Sequence, residues 1–468
     1  MKDSALDKFF DPASVVVIGA SNSPFNLGST ICACLSSYIP YKGIVYAVNR
    51  KGEDVHGCAG YSSVAEIPGQ VDLAVIITPA GVVPQFIRDC GEKGILNIVI
   101  ESAGFNEQGE EGRRLQREID EAIKKYGIRV IGPNCLGVLN SQSYFCCFYG
   151  AYKELIDVFK KPGGVSYIIQ SGGVAVVVIE SLMDDLEGIN KMVCIGNKTD
   201  VDEADLVEYF NHDSTKVIAM YLESIMSGEK LMSVARRVSK PIMIYKTGRT
   251  EEGTAAAMSH TAGMANNDAV FESACRQAGI IRLKSISEIH SMPKMLTEMP
   301  LLRGNRIAAF TNTGAFGSMS ADLMVEAGLK MPRLAPETRE RLRSLKGVFN
   351  VNNPVDIGPA PPQIYLDIFE ILLSAPEVDG MLLMSSIWRE FIIDVMKELM
   401  KMCRQYDKPA AIYTPNSVGR IISVRRDHKL PLFDSVEEAV RALVVSHEQY
   451  RYSLKKEKPY GADHKESA

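Results

Sequence analysis

Short apolar runs alternate with longer amphipathic stretches through most of the chain. In the first third the runs fall at 14–18, 43–48, 73–78, 97–100 and 129–131, with helical patterns such as 84–93 and 110–126 between them. Apolar runs of strand length separated by helices predict strands buried on both faces, hence a parallel sheet with right-handed crossovers. This first α/β unit is expected to end near the turn Gly132-Pro133-Asn134-Cys135. The alternation resumes at 165–169, 192–195, 216–222 and 241–245, and again at 306–310, 380–384 and 410–413. Three α/β units follow, with a polar tail after residue 455.

The second and third units read as a diverged repeat. Tyr167-Ile168-Ile169-Gln170-Ser171-Gly172-Gly173 parallels Ala308-Ala309-Phe310-Thr311-Asn312-Thr313-Gly314, each a strand, a small-residue turn and a helix start. Lys240-Pro241-Ile242-Met243-Ile244-Tyr245 parallels Lys408-Pro409-Ala410-Ala411-Ile412-Tyr413 in the same order. Only the first copy has a histidine soon after its second motif, which points to one active copy and one that supports or docks.

Composition narrows the class without naming it. At 468 residues the chain is too long for one ordinary core. Its net charge of -5 argues against general nucleic-acid binding. No apolar run reaches the ~20 residues of a membrane span, and the first residues lack a signal-peptide core. The ten cysteines include no CxxC pair, which fits reduced thiols and a cytoplasmic protein.

Val15-Val16-Val17-Ile18-Gly19-Ala20-Ser21 runs from a strand into a glycine turn, a place where backbone N–H groups meet anions. Gly19 and Gly28 are too far apart for the dinucleotide fingerprint. After the second strand stand Asn49, Arg50 and Lys51, where an NAD enzyme wants an acid. Two cations there suit a ribose phosphate, of NADP or of coenzyme A, or form a solvated loop. Thr78, Ser102 and the Gly132–Cys135 turn fall at further strand ends. Cys135 is read as a buried small residue rather than a nucleophile.

Of the seven histidines, His260 stands apart. It follows a buried strand and lies in a segment rich in Gly, Ala, Ser and Thr, which lets backbone approach a phosphate. Neutral imidazole is a good phosphoryl acceptor near pH 7. A phosphohistidine needs donors for the phosphoryl oxygens, which Ser171, Gly172 and Gly173 supply if a helix starts there. It also needs a carboxylate to hold one ring nitrogen, and Glu223, at a strand end, is placed for that. On the residues alone, His260 is either this group or an ordinary polar loop residue. Lys198 reads equally as a contact to phosphate or acyl carboxylate and as a surface lysine.

These motifs, with Phe10-Asp11-Pro12, Ser102-Ala103-Gly104-Phe105, Gly196-Asn197-Lys198, Gly248-Arg249-Thr250, Ser259-His260-Thr261 and Asn353-Pro354-Val355-Asp356, stand in one order. In that order the chain resembles the alpha subunit of ADP-forming (NDP-forming) acyl-CoA synthetases, and its first two units resemble succinyl-CoA synthetase alpha. The resemblance implies a Rossmann-like CoA-binding domain over 1–145, a ligase domain with the phosphohistidine over 146–300 and a second flavodoxin-like domain over 301–455, then the tail 456–468. It implies that His260 is phosphorylated and oriented by Glu223, 37 residues earlier (260 − 223), that Ser171, Gly172 and Gly173 cradle phosphate, and that Gly19, Ser21, Asn49, Lys51 and Thr78 contact CoA, with Asn134 near its thiol. Two departures stand out: Arg50 where the family has proline, and Thr261-Ala262-Gly263-Met264-Ala265-Asn266-Asn267 after the histidine.

The implied reaction converts acyl-CoA, phosphate and ADP into carboxylic acid, CoA and ATP through an acyl phosphate and a phosphohistidine. Neither a Walker A sequence nor an ATP-grasp pattern occurs in the sequence. The resemblance therefore implies an ATP-grasp beta subunit holding ADP or ATP with Mg²⁺, in an α2β2 assembly. No metal site is expected on this chain, and neither nucleic acid nor membrane is an expected partner. The rival readings are a CoA-binding sensor or scaffold without catalysis and an NADP-dependent oxidoreductase.

Overall fold

The computed structural model describes residues 5–150, 159, 162–185, 188–253, 255 and 267–457. The chain divides near Ile289 into two compact units, the first carrying two sheets and the second carrying one.

In the first sheet, Val15, Val16, Val17 and Ile18 have no solvent exposure, as a central strand covered on both faces requires. The strands are β1 (Ser14–Ile18), β2 (Ile44–Val48), β3 (Ala59–Tyr61), β4 (Leu73–Ile76), β5 (Asn97–Ile100) and β6 (Arg129–Ile131). Their order is β3-β2-β1-β4-β5-β6 and every pairing is parallel. This is the doubly wound arrangement, and its ligand crevice lies at the carboxyl ends beside β1 and β4, where the order reverses. The five expected strands are all present. The three-residue β3 escaped the sequence pattern because an edge strand this short, with Gly60 inside it, has no readable periodicity.

The second sheet contains β7 (Gly137–Asn140), β8 (Phe145–Cys146), β9 (Val165–Ile169), β10 (Ile189–Cys194), β11 (Val217–Leu222), β12 (Ile242–Lys246) and β13 (Ile280–Arg282), in the order β13-β12-β11-β9-β10-β7-β8. β7 and β8 run antiparallel at one edge. The change of sheet thus comes between Ile131 and Gly137, ahead of residue 145.

The second unit holds β14 (Ile307–Thr311), β15 (Val348–Asn350), β16 (Val355–Ile357), β17 (Gly380–Met384), β18 (Ala410–Tyr413) and β19 (Leu432–Phe433), in the order β15-β16-β14-β17-β18-β19. Its first residues come before 301: the buried Lys294 donates to the Leu432 carbonyl at 3.3 Å. Among the described residues no helix is long and apolar enough to cross a membrane. Residues 458–468 of the polar tail lie outside the described residues.

Candidate functional site

The loops at the carboxyl ends of the first sheet are shaped by contacts that tolerate little change. Gly19 follows β1 at φ +102°, and a Cβ there would lie 2.3 Å from the Ile77 carbonyl oxygen and 2.8 Å from the Thr78 methyl. Only glycine fits. Asn26 organises the turn. Its Oδ1 accepts from Ser21 N at 3.0 Å and from Ser29 N at 2.8 Å, and its Nδ2 donates to the Gly19 carbonyl at 3.0 Å. Asn26 thereby caps the helix Leu27–Ala33 and fixes Gly19 and Ser21 together. Sequence reasoning passed over it, although an asparagine just before a helix start is a readable cap signal.

Gly19 N donates to the Val48 carbonyl at 2.9 Å, so the turn after β2 lies beside the turn after β1. There Asn49 spends its side chain on its own loop. Its Oδ1 accepts from Lys51 N and Glu53 N, and its Nδ2 donates to the Glu53 carbonyl at 2.8 Å. Asn49 therefore shapes the turn that presents Lys51, whose exposed ammonium lies 3.5 Å from the Glu53 carboxylate. Thr78 donates its N–H to Ser102 Oγ at 2.9 Å, while its own buried Oγ1 has no hydrogen-bond partner. A buried hydroxyl left without a partner at a strand end is an open position for a ligand atom.

The Gly132–Asn134 turn is stitched to the loop after β10. Asn197 N donates to the Pro133 carbonyl at 2.9 Å and Thr199 N to the Gly132 carbonyl at 3.0 Å. Gly196 permits this approach: a Cβ there would sit 2.2 Å from the Pro133 oxygen. Asn134, at φ +58°, donates from Nδ2 to Asn197 Oδ1 at 3.4 Å. Glu107 accepts from Gly104 N at 2.7 Å and from Asn197 Nδ2 at 2.6 Å. Burial pushes the Glu107 carboxyl up, but these hydrogen bonds outweigh it and hold the group below the usual carboxylate range.

Lys198 is not the surface lysine of the second sequence reading. It is 1 % exposed, and its Nζ donates to Glu203 Oε2 at 3.1 Å and to the Ser224 carbonyl at 2.7 Å. Burial lowers its pKa against the opposing pull of Glu203. Both its bonds are internal, so Lys198 secures the loop after β11.

Gln170 is the organising residue at the end of β9. Its Oε1 accepts from Glu223 N at 2.9 Å and Ser224 N at 3.0 Å, and its Nε2 donates to Ser224 Oγ at 3.0 Å. This clamp sets the half-buried Glu223 beside the turn that opens the helix Gly172–Asp185. Glu223 Oε1 also accepts from Tyr221 Oη at 3.4 Å, and burial together with the Glu223 charge pushes the Tyr221 hydroxyl up to about 12. Among the described residues, a Cβ on Gly172 would meet nothing nearer than Leu136 Cβ at 3.8 Å, and one on Gly173 nothing nearer than Ser171 Oγ at 4.0 Å. Nothing among the described residues crowds the helix start, and its first N–H groups, which lack intrahelical partners, suit an anion. Leu136 belongs to the Asn134 turn, so the first sheet's loops reach the same place.

His260 lies outside the described residues, as does 256–266 around it. The segment leaves from β12, where Thr247 N donates to the Leu222 carbonyl at 3.1 Å, next to Glu223. It returns at Asn267, whose Oδ1 caps the helix Asp268–Ala278. Cys135 is buried, its thiol 3.3 Å from the Ile100 carbonyl and pushed up by burial, which suits the small-residue reading.

Two family models match the chain: a CoA binding domain over residues 13–141 and a succinyl-CoA ligase like flavodoxin domain over residues 162–296. The alpha subunit of acetate–CoA ligase (ADP-forming) II from Pyrococcus furiosus is 42% identical over 380 residues, 80% of this chain and 81% of that protein. The alpha subunit of form I from the same organism is 33% identical over 464 residues, covering 96% and 99%. Among solved structures, the dinucleotide-forming acetyl-coenzyme A synthetase 1 of Ca. Korarchaeum cryptofilum, in complex with phosphate and ADP, superposes with a TM-score of 0.87 at 31% identity, over 98% of this chain and 100% of that one. Two matching family models, with relatives of this kind along almost the whole chain, place the protein in the family of ADP-forming acyl-CoA ligase alpha subunits, which are acid–thiol ligases.

Proposed function

We propose that this chain carries the acyl-transfer and phosphoryl-relay steps that make acid, CoA and ATP from acyl-CoA, phosphate and ADP. CoA lies along the ends of β1, β2 and β4, against Gly19, Ser21, Lys51 and Thr78, in the turn that Asn49 shapes. Its thiol end reaches Asn134. Phosphate at Ser171, Gly172 and Gly173 attacks the thioester carbonyl, the carbon–sulfur bond breaks, and CoA leaves as an acyl phosphate forms. One imidazole nitrogen of His260 then attacks phosphorus and releases the carboxylate, while Glu223 accepts the N–H of the other. The helix start supplies N–H donors that need no reorganisation as charge shifts between oxygens.

The observation that carries this reading is the Gln170 clamp, which holds a carboxylate beside an open helix start. The final transfer to ADP is assigned to an ATP-grasp beta subunit, where Mg²⁺ accompanies the nucleotide, in an α2β2 assembly. The alpha-subunit relatives support the partner. The described cysteines are all free thiols, in keeping with the cytoplasm proposed as the compartment.

The test is labelling with γ-³²P-ATP in the presence of the beta partner. An acid-labile, base-stable label on this chain, absent in His260→Ala, is the expected result. A complex that binds CoA yet takes no label would favour a sensor. The mass of the complex in solution checks the stoichiometry.

A further inference from the structure

We propose that Tyr149 touches the substrate, its hydroxyl donating a hydrogen bond to a phosphoryl oxygen held at the start of the helix Gly172–Asp185. The inference rests on the phosphate-cradle reading above and adds a residue that the sequence motifs do not contain. Tyr149 follows β8 at the edge of the second sheet. Its main chain is pinned from the first sheet's side, where the Thr30 hydroxyl donates to the Tyr149 carbonyl. The half-buried side chain reaches across to the cradle, and its Oη lies 4.0 Å from where a Gly172 Cβ would stand. Leu136 Cβ lies 3.8 Å from the same point, so among the described residues the hydroxyl and Leu136 face the helix start with no atom between them and that point.

Among the described residues, this hydroxyl makes no hydrogen bond. A phenol beside an open array of N–H donors has a natural acceptor in an oxyanion bound there, which would complete the array from the side the helix does not cover. The hydroxyl must keep its proton to donate. Burial pushes its pKa up, so the group stays a neutral donor across the physiological range. No covalent step passes through Tyr149. It donates one hydrogen bond to the bound phosphate or acyl phosphate.

Tyr149→Phe removes the oxygen alone and keeps the ring and its packing. The reconstituted complex is assayed in the ATP-forming direction, varying inorganic phosphate, with CoA affinity measured separately by titration calorimetry. The KM for phosphate should rise about tenfold, or kcat fall by a similar factor, with CoA affinity within about twofold of the parent. Equal phosphate KM and kcat in the two proteins would overturn the role of Tyr149 and leave the ligase reading standing. A parent complex that makes no ATP from acyl-CoA, phosphate and ADP would instead bring down the cradle itself and this inference with it. Tyr149→Trp keeps an aromatic ring and an N–H donor in a new place. Tyr149→Trp should not restore the parent KM if the hydroxyl's position is what matters, and full restoration would count against the proposal.

Discussion

The second and third sheets share one scaffold and differ in the few side chains that would do chemistry. Their parallel cores have the same order, β10-β9-β11-β12-β13 and β16-β14-β17-β18-β19, each with the first strand second in line. Both use a lysine before a proline to close a connection: Lys240 donates to the Phe210 and Asp213 carbonyls, Lys408 to the Leu373 and Ala375 carbonyls. Each has a side-chain amide reaching a serine across the switch point, Gln170 to Ser224 and Asn312 to Ser385, both at 3.0 Å. After β11 comes the carboxylate of Glu223, but after β17 come Ser385 and Ser386. Among the described residues nothing comes closer than 3.8 Å to a Cβ on Gly172, whereas a Cβ on Gly314 would lie 3.2 Å from Asp356 Oδ2, so the second cradle already faces a carboxyl group of its own. Burial pushes that carboxyl up, in keeping with a site that holds its own acid rather than a phosphate. The strand order makes a crevice in either copy, and the residues at the strand ends decide what it can hold.

Removing the carboxylate gives the largest expected effect. Glu223→Gln keeps the shape but cannot stabilise a charged imidazole, so phosphohistidine formation should fall about 100-fold, within the range for a positioned acid or base. Asp356→Asn in the other copy should change it less than about twofold. Rapid-quench measurement of labelled protein reads both. Equal losses in the two variants would break the claim that only one copy is catalytic.

Next in size is the clamp. Gln170→Ala leaves the Glu223 and Ser224 amides without their acceptor, a cost of about 1–3 kcal/mol for each buried group so stranded. Hydrogen exchange at these two amides should speed up roughly 10- to 100-fold. Asn312→Ala loses a single bond to a hydroxyl and should raise exchange around Ser385 only about threefold. If the two copies loosen equally, the clamp is a shared structural device with no special bearing on catalysis.

A smaller effect separates space from packing. Gly172→Ala meets no atom of the described residues nearer than 3.8 Å, so the protein should fold with an unchanged Tm while the KM for phosphate rises about tenfold. Gly314→Ala approaches Asp356 at 3.2 Å and should shift Tm slightly and KM not at all. A Tm loss for Gly172→Ala with normal kinetics would reverse the assignment of which glycine leaves room for a ligand.

The repeat itself was legible, and the structure moves its alignment by one residue. Gln170 N donates to the Tyr221 carbonyl as Asn312 N donates to the Met384 carbonyl, and the helices begin at Gly172 and Gly314. The strand-to-turn motifs gave the sheets and the cradle because buried apolar runs and glycine turns are local signals. Gln170 as a clamp and Tyr149 were not legible as such, because their roles depend on partners 53 and 54 residues away or on the space beside a helix start, whereas the cap signal of Asn26 was local and was passed over. Lys198 stayed open between two readings for the same reason: nothing local says whether a lysine at a strand end is solvated or, as here, closed over by Glu203 and Ser224. The strands β7 and β8 gave no periodic signal, being four and two residues long and wholly buried.

The smallest expected effect sets the two compact units apart by their response to pH. Glu101 is 5 % exposed, both its carboxyl oxygens lack hydrogen-bond partners, and Gly137 leaves the notch it fills, since a Cβ there would lie 2.6 Å from Oε1. Burial pushes its pKa well up. Among the described residues the second unit has no carboxylate buried to this degree. The folded state therefore keeps a proton that the unfolded chain releases above its ordinary pKa of about 4.3. The native form then binds more protons than the unfolded form, so this contribution to stability is whole at low pH and shrinks as pH rises towards the folded pKa. The slope from one group is at most ~1.4 kcal/mol per pH unit. Thermal unfolding of the first unit should fall more steeply between pH 5 and 8 than that of the second, and Glu101→Gln should flatten it. The slope, not the absolute Tm, is the quantity to read, because the amide brings its own unpaired donors into the notch. An unchanged slope in Glu101→Gln would mean that Glu101 ionises in the fold after all, with water or a bound ion supplying the missing partner.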